Sequence, residues 1–287
     1  MDLLDAIVLG LVQGATEFLP ISSSGHLVLG QYLLGLEEPK LLFDIVLHVG
    51  TLLAVIGFYR RDLTEIFEGL RRGSLDLVKH RSIGKALESD GARLAFLIVV
   101  ACIPTGILGV LVDEFLPVER GTRSATVFVC AALIVNGFIL FSGRFVRDKT
   151  PEERDGALVL WNVSIAVALA IGIAQGIAVI PGLSRSGLTI ISALFLGVWR
   201  DQAARFSFLM SVPAILGALV LKFEPGVFSG PNLGANITTF SVGALTAGVT
   251  GYFAIVLLVK LIERAQFHHF SWYCWTAGAI GLATLLL

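Results

Sequence analysis

QGATEFLPISSSG, at residues 13–25, returns in altered form as QGIAVIPGLSRSG at residues 175–187. The two stretches lie 162 positions apart and share a Gln-Gly pair, a proline shifted by one position and a Ser-x-Ser-Gly run. Each breaks an apolar region with Pro, Ser and Gly, and each is followed by one short and three long apolar segments. A motif duplicated in this way indicates two structural repeats, which we place at about 1–142 and about 160–287.

The composition places these repeats in lipid. Hydrophobic residues make up 55% of the 287-residue chain and charged residues 15%, and the mean hydropathy is +0.84. Soluble domains carry about 25% charged residues, so an ordinary soluble enzyme, a disordered chain and a nucleic-acid-binding protein are excluded. The formal net charge of −1 gives no bulk attraction to a polyanion. The three cysteines lie singly in apolar runs and predict neither a disulfide framework nor a metal site.

Six apolar stretches approach the roughly 20 helical residues that a bilayer requires. They are 41–59, 93–112, 123–142, 203–222, 240–262 and 271–287. Two further regions, about 2–36 and about 160–198, are broken by the quoted turns, and each is expected to form two half-helices that enter and leave on one side. We predict an all-α integral membrane protein, a single membrane domain over 1–287 with six spanning helices and two re-entrant helical hairpins. Three spans follow each hairpin, so the repeat has inverted topology and the hairpins meet near the midplane.

Basic residues set the expected orientation. Eight Lys or Arg lie between Arg60 and Arg93 and four between Arg144 and Arg154, whereas 1–39 and 223–259 contain none. The positive-inside rule places the two basic stretches in the cytoplasm. Both termini and three loops are then predicted to lie outside. The loops are 37–40, 113–122 and 223–239.

The two turns also carry hydroxyl, imidazole and guanidinium side chains, which are groups typical of catalytic and anion-binding sites. These are Ser22, Ser23, Ser24 and His26 in the first turn, and Ser184, Arg185 and Ser186 in the second. Both groups lie where a half-helix is predicted to start, at 25–36 and 187–198, and helix N-termini bind anions. A guanidinium can grip phosphate oxygens in a bidentate fork. With Glu17, the set contains a nucleophile, an acid/base and an anion clamp, which are the parts for phosphoryl transfer.

Structural roles compete with this interpretation. The serines could cap their helices, Glu17 could cap the following turn, and His26 could be a satisfied core residue. Arg185 could pin backbone carbonyls, but a cation deep in an apolar region is expensive, which favours a functional role. Asp44 and His48, spaced i,i+4 at the outer end of the first span, could line the same cavity or pair with each other.

At these turns the chain resembles the bacterial undecaprenyl-diphosphate phosphatase family, also known as the bacitracin-resistance proteins. QGATEFLPISSSGH at 13–26 and PGLSRSGLT at 181–189 resemble the family patterns (E/Q)GxTEFLPxSSxGH and PGxSRSGxT, and FDIVLHVGTLLAV at 43–55 resembles a weaker third. The hydropathy layout is similar over essentially the whole chain. The resemblance implies a membrane hydrolase that removes the terminal phosphate of undecaprenyl diphosphate and so regenerates the lipid carrier of cell-wall synthesis.

Carried over by position, the resemblance implies four catalytic residues: Glu17 as the essential acid, Ser23 as the nucleophile, His26 as the histidine and Arg185 as the phosphate-binding arginine. Further residues are implied to contact the substrate. They are Gln13, Ser22, Ser24, Gly25, Ser184, Ser186 and Thr189. The resemblance also implies a bacterial inner-membrane location, a cavity that faces the periplasm, and bacitracin as a competitor for the substrate.

The family resemblance further implies a divalent cation, Mg²⁺ or Ca²⁺. Many members carry a second Glu where this chain has Gln13, which cannot bear a negative charge. A two-carboxylate metal site is therefore not expected, and a cation would rely on Glu17, the diphosphate and water. The family's frequent Thr is Ser24 here, which keeps the hydroxyl.

Several alternatives stay open at the level of sequence. Ser23 could attack the phosphorus while His26 or Glu17 takes its proton, or water could attack directly with the serine as a ligand. A lipid-phosphate flippase or phosphate transporter would use the same inverted-repeat anion site, although it has little use for a histidine beside three hydroxyls. A structural scaffold leaves Glu17 and Arg185 unexplained. The small residues of the 240–262 span permit close packing, either within the chain or in a homodimer. They are Gly243, Ala247, Gly248 and Gly251.

Overall fold

The computed structural model describes residues 2–36, 41–116, 122–147, 163–221 and 233–286, and within these ranges every regular element is a helix. The prediction of an all-α chain is confirmed. The α-helices of these ranges are α1 Leu3–Phe18, α2 Ser23–Leu33, α3 Leu41–Phe58, α4 Arg60–His80, α5 Ile83–Ala86, α6 Asp90–Phe115, α7 Arg123–Ser142, α8 Ile165–Ile177, α9 Arg185–Phe195, α10 Arg200–Leu221, α11 Leu233–Glu263 and α12 Phe270–Leu286.

Several of these helices are suited to a bilayer. In the described ranges, four are long and apolar enough to cross it, namely α6, α7, α10 and α11, and the bent pair of α3 and α4 makes a fifth if it counts as one span. Helix α12 has 17 residues. The chain is therefore a multi-pass membrane protein, while the six-span count and the inverted topology stay predictions. The expected outer loop at 37–40, half of that at 113–122 and most of that at 223–239 lie outside the described residues.

The basic stretch after Arg60 contains a helix that the sequence analysis did not predict. Helix α4 leaves α3 at an angle of 80°. Its buried Gly69 and Gly73 lie against the backbone of residues 86–92, so a side chain at either glycine would collide with it. An ion pair between Arg205 of α10 and Asp62 also holds α4 in place. The apolar-to-charged change at Arg60 thus marks a sharp bend in a continuous helical region.

The first half-helix of each broken region packs along one long helix. Helix α1 lies along α11 and helix α8 lies along α6. Gly10 of α1 faces the carbonyl of Gly243, and Gly172, which is 162 positions later, faces the carbonyl of Ala101. A Cβ atom at either glycine would collide with the opposing backbone. Glycine is therefore what allows each half-helix to approach its partner closely.

The small residues of α11 serve contacts inside the chain. Gly243 and Ala247 face α1, and Gly248 lies over the carbonyl of Gly50 in α3. Gly251 lies against Phe18, the last residue of α1. This stripe is therefore occupied by intrachain packing, which was one of the two alternatives for it.

The two turns touch each other where their second half-helices begin. Ser22 and Ser184 are the N-caps of α2 and α9, so both helices start two residues earlier than predicted. Ser22 Oγ accepts hydrogen bonds from the amide of Gly25 in its own helix, at 3.3 Å, and from the amide of Gly182 in the other turn, at 3.1 Å. The hairpins therefore meet directly.

Gly182, in the second turn, packs tightly against α7, and Gly182→Ala is expected to destabilise the protein. Its φ of +97° disfavours any side chain, and a Cβ atom would lie 2.5 Å from the Ala132 Cβ and 2.7 Å from the Val129 carbonyl oxygen. Backbone strain and overpacking together cost about 2 kcal/mol or more. Thermal unfolding in detergent should show a midpoint lowered by several degrees.

Gly106→Ala is the matched control, because a Cβ atom at Gly106, inside α6, meets nothing within 4 Å. That variant should unfold at the wild-type temperature or slightly above it. Equal midpoints for the two variants would mean that the second turn packs on α7 more loosely than described.

Candidate active site

Glu17 is the centre of the site, and four side chains converge on its buried carboxylate. The Ser23 hydroxyl donates a hydrogen bond to Oε2 at 2.5 Å, and Gln13 Nε2 donates to the same oxygen at 2.9 Å. The Arg185 guanidinium forms an ion pair with Oε1. His48 Nε2 lies 3.6 Å from Oε2. These partners offset the cost of burying a charge, so the first turn, the second turn and α3 all contribute to one cluster.

Local structure explains why these groups meet. Gln13 and Glu17 are spaced i,i+4 near the end of α1 and therefore share a helix face. Ser23 is the first residue of α2, and Arg185 is the first residue of α9. The contact between Ser22 and Gly182 brings these two helix starts together. The free amides of two helix N-termini thus lie beside a serine and an arginine, an arrangement suited to a phosphate group.

The cluster opens into a small pocket. The pocket is lined by Glu17, Phe18, Arg185, Ser186, Ser207, Phe208 and Ser211. The Arg185 side chain is 25% exposed although its partner carboxylate is 1% exposed. Ser23 and Ser24 are also partly exposed. Glu17 and Arg185 therefore line the pocket directly, whereas Ser23 contacts Glu17 from outside the set of lining residues.

The other predicted substrate contacts are more deeply placed. Ser184 Oγ caps α9 by accepting from the Gly187 amide at 3.1 Å and lies 3.1 Å from Ser186 Oγ. Thr189 Oγ1 donates to the Arg185 carbonyl at 2.7 Å and lies 2.5 Å from Ser207 Oγ.

On the first turn, Gly25 is buried, and Ser24 Oγ lies 3.4 Å from Ser22 Oγ. The capping interpretation therefore holds for Ser22 and Ser184, and substrate contact by these residues stays a prediction.

His26 faces away from the carboxylate. Its Nδ1 lies 2.7 Å from the Ser22 carbonyl, which only accepts, so Nδ1 is assigned the proton. Nε2 of the neutral ring then accepts from the Tyr273 hydroxyl of α12 at 2.8 Å, and the two rings stack. Of the two bases that the sequence left open, Glu17 is therefore the one in contact with the Ser23 hydroxyl.

The side chains of Asp44 and His48, which the sequence predicts either to line the cavity or to pair with each other, contact different partners. Asp44 Oδ1 accepts a hydrogen bond from Gln31 Nε2 at 2.7 Å, in a buried pair between α2 and α3. His48 Nδ1 lies 2.7 Å from the Asp44 carbonyl, which leaves Nε2 directed at Glu17. His48 thus lines the site, whereas the Asp44 side chain supports the helix packing beside it.

Sequence reasoning missed three polar residues next to the turns: Tyr273, Ser207 and Asn136. Asn136, in the middle of α7, forms hydrogen bonds with both turns. The available signal was a lone amide inside an apolar span, since polar side chains at membrane depth are usually paired or functional. Its partners are distant in sequence and could not be inferred from a local pattern.

The described residues do not form a preformed site for the implied divalent cation. In the described part of the chain, no group of three or more His, Cys, Asp or Glu side chains comes together. Both Glu17 oxygens already accept from Arg185, Ser23 and Gln13. A cation at this carboxylate would also face the positive charge of Arg185, which disfavours binding.

This fold and this cluster define a class: a multi-pass membrane protein with a serine, a carboxylate and an arginine gathered at two helix N-termini, an arrangement suited to binding a phosphate group. The family is more specific. The chain belongs to the family described as Bacitracin resistance protein BacA, whose model matches residues 6–280. The resemblance seen in the two motifs is therefore confirmed.

Curated relatives extend over nearly the full length. The undecaprenyl-diphosphatase of Desulforapulum autotrophicum is 40% identical over 283 residues, which cover 98% of each chain. That of Rubrobacter xylanophilus is 40% identical over 290 residues and covers 100% of both. That of Methanobrevibacter smithii is 37% identical over 280 residues, covering 98% of this chain and 96% of its own.

Proposed function

We propose that the protein is an undecaprenyl-diphosphate phosphatase, which hydrolyses undecaprenyl diphosphate to undecaprenyl phosphate and inorganic phosphate and so recycles the lipid carrier of cell-wall synthesis. Family membership and the name carried by the full-length relatives support the substrate. The observation that carries the reaction is the convergence of Ser23 and Arg185 on the buried carboxylate of Glu17. A scaffold or a simple anion carrier has no need for a hydroxyl hydrogen-bonded to a carboxylate beside an arginine.

The diphosphate is expected to bind where α2 and α9 begin. Both helix N-termini direct backbone amides towards this point, and Arg185 adds a full positive charge. The isoprenoid tail would stay in the lipid beside the spans. Family membership supports a bacterial inner-membrane protein, and the distribution of Lys and Arg supports a pocket that opens to the periplasm. Bacitracin would then compete for the same lipid diphosphate on that side.

In the first step, Ser23 Oγ attacks the terminal phosphorus and gives its proton to Glu17, whose Oε2 it already contacts at 2.5 Å. The bond from that phosphorus to the bridging oxygen breaks, and undecaprenyl phosphate leaves. In the second step, water attacks the phosphoserine, Glu17 returns its proton to Ser23 Oγ, and phosphate departs with the protons of the water. Arg185 neutralises charge on the transferred phosphoryl group in both steps.

Two neighbouring residues hold the Glu17 carboxylate in the orientation that proton transfer from Ser23 requires. Gln13 donates an amide hydrogen to the oxygen that also accepts from Ser23, and His48 lies on the same side of the carboxylate. Both hold the carboxylate in one orientation, so the reacting groups are positioned before the substrate arrives. Gln13, His48 and Arg185 already occupy the space around this carboxylate, so we propose that any divalent cation enters bound to the diphosphate.

The test is release of inorganic phosphate from undecaprenyl diphosphate by the purified protein in detergent, with Mg²⁺, with Ca²⁺ and with chelator. Detergent removes sidedness, so release reports hydrolysis and not transport. Glu17→Gln keeps the shape of the side chain and removes the base, so we expect turnover to fall by about 10²- to 10⁴-fold.

Glu65→Gln provides the matched control, since it makes the same change at an exposed carboxylate whose partner is Arg205 and not a residue of the site. Its turnover should equal that of the wild type. If folded wild-type protein released no phosphate under any metal condition, the enzyme assignment would be wrong, and the same residues would belong to a lipid-phosphate transport site.

A further inference from the structure

Asn136 joins the two turns through a single side-chain amide. It lies in the middle of α7 and is 0% exposed. Its Nδ2 donates to the Pro20 carbonyl in the first turn at 2.9 Å, and its Oδ1 accepts from the Ser184 backbone amide in the second at 3.0 Å. Nδ2 also lies 3.4 Å from the Cys274 sulfur of α12. One side chain thus contacts both hairpins at once.

The two backbone groups that Asn136 contacts lie outside regular helical bonding. The Pro20 carbonyl lies between the end of α1 and the start of α2, and the Ser184 amide belongs to the N-cap of α9. Leaving such a group unpaired in a buried site costs about 1–3 kcal/mol. A carboxamide carries a donor and an acceptor on two separate atoms, whereas a hydroxyl carries both on one oxygen, a carboxylate only accepts and an aliphatic side chain has neither.

The positions of these contacts connect Asn136 to the reacting groups. Pro20 lies three residues before Ser23, and Ser184 directly precedes Arg185. If either turn moved relative to the Asn136 side chain, the separation between Ser23 and Arg185 would therefore change. Displacements of about 1 Å can lower turnover about 100-fold when the reacting atoms must be aligned.

We propose that Asn136 is a positioning residue that holds the serine-bearing turn and the arginine-bearing turn at the separation required for phosphoryl transfer. The inference rests on the proposed phosphatase function. Asn136 touches neither Ser23 nor Arg185 in this arrangement, and it acts through Pro20 and Ser184.

The turns keep a second link when Asn136 is replaced. Ser22 Oγ still accepts from the Gly182 amide, and the packing of α1 on α11 and of α8 on α6 does not involve Asn136. We therefore expect Asn136→Ala to fold and to insert in the membrane. Asn136→Asp is the sharper variant, because it keeps an acceptor for the Ser184 amide but places a carboxylate oxygen against the Pro20 carbonyl.

Steady-state kinetics in detergent should show that both variants lose about 100-fold in kcat while KM changes by less than about threefold. Thr105→Val is the matched control. Thr105 is a buried residue of α6 whose hydroxyl donates to the Gly172 carbonyl of α8 at 2.9 Å and lies 3.5 Å from Gln175 Nε2, so it supports α8 and forms no hydrogen bond with Pro20 or Ser184. That variant should lose stability and keep the wild-type kcat.

A distance measurement tests the same proposal without catalysis. Spin labels at Leu33→Cys and Phe195→Cys, exposed residues at the ends of α2 and α9, report how the two helices are placed relative to each other. Asn136→Ala should shift or broaden the distance distribution, and Thr105→Val should leave it unchanged.

The outcomes separate the two proposals. An unchanged kcat in folded Asn136→Ala, or an unchanged distance distribution, would overturn the positioning role. A wild-type protein without phosphate release would instead overturn the proposed function, and the spin-label distances would still decide whether Asn136 holds the turns together. An equal fall in kcat for Thr105→Val would mean that general destabilisation, and not the placement of the turns, limits turnover.

Discussion

Arg185→Ala is expected to lower kcat/KM for undecaprenyl diphosphate by about 10³-fold or more, the range typical of an arginine that stabilises a transferring phosphoryl group. The residue begins α9 and reaches the pocket, so its charge lies where the terminal phosphate is proposed to bind. Removing it would also leave Glu17 without its cationic partner. The bare carboxylate would then repel the incoming diphosphate, and this adds to the loss of transition-state stabilisation.

Arg185→Lys tests whether the positive charge alone is sufficient or whether the guanidinium geometry is also required. A lysine keeps the charge but is a point donor, whereas a guanidinium can bind two oxygens in a fork and hold the carboxylate at the same time. We therefore expect the lysine variant to recover some of the lost kcat/KM but to remain at least about tenfold below the wild type. Phosphate release and thermal unfolding, measured on the same preparations in detergent, separate catalytic loss from unfolding.

Arg205→Ala is the matched control for both Arg185 variants. Arg205 also forms an ion pair between two helices, with Asp62 of α4, but that pair lies outside the cluster around Glu17. Its removal should change stability and leave kcat/KM near the wild-type value. If Arg185→Ala retained more than about a tenth of wild-type kcat/KM, the guanidinium would serve the structure alone, and the phosphate would have to bind elsewhere.

Local sequence patterns predicted the parts of the site that depend on nearby residues. The Pro and Ser of each turn end one half-helix and cap the next, so the breaks, and the approximate starts of α2 and α9, followed from the motif. In the structure, Gln13 and Glu17 also share one face of α1 because of their i,i+4 spacing. The shift of the two helix starts by two residues reflects the capping hydroxyls, whose position within a run of serines the sequence leaves ambiguous.

The features of the site and the fold that the sequence did not predict depend on contacts between residues far apart in the chain. His26 lies next to the serine cluster in sequence, yet its ring pairs with Tyr273, which is 247 positions away. Asn136 is a single amide in an apolar run, and its structural role depends on hydrogen bonds to two backbone groups in different turns. Helix α4 was missed because its many charges obscure an apolar face. Such features depend on tertiary packing, which a periodic pattern does not encode.

Ser23→Ala is expected to lower kcat by about 10³-fold or more if Ser23 is the nucleophile, since the phosphoserine intermediate can then not form. The residual rate would come from Arg185 and the helix N-termini, which still bind and polarise the diphosphate. The alternative, direct attack by water, requires only that Ser23 help to hold the phosphate. In that case the loss should be far smaller, because the loss of one hydrogen bond costs about 0.5–1.5 kcal/mol.

A trapping experiment distinguishes the two routes independently of rate. Undecaprenyl diphosphate labelled in the terminal phosphate, mixed with the protein and quenched in acid within one turnover, should leave label on Ser23 in the wild type. Ser142→Ala is the control, since Ser142 donates only to the Ile139 carbonyl near the end of α7. That variant should keep both turnover and label.

The geometry favours the covalent route. The Ser23 hydroxyl already donates to Glu17 at 2.5 Å, so its proton has an acceptor before any water enters. The buried carboxylate has no other hydroxyl partner among the described residues. A nucleophilic water would have to displace this serine to reach the base. Turnover without label in the wild type, with near-full activity in Ser23→Ala, would mean that water makes this displacement and that Glu17 activates it directly.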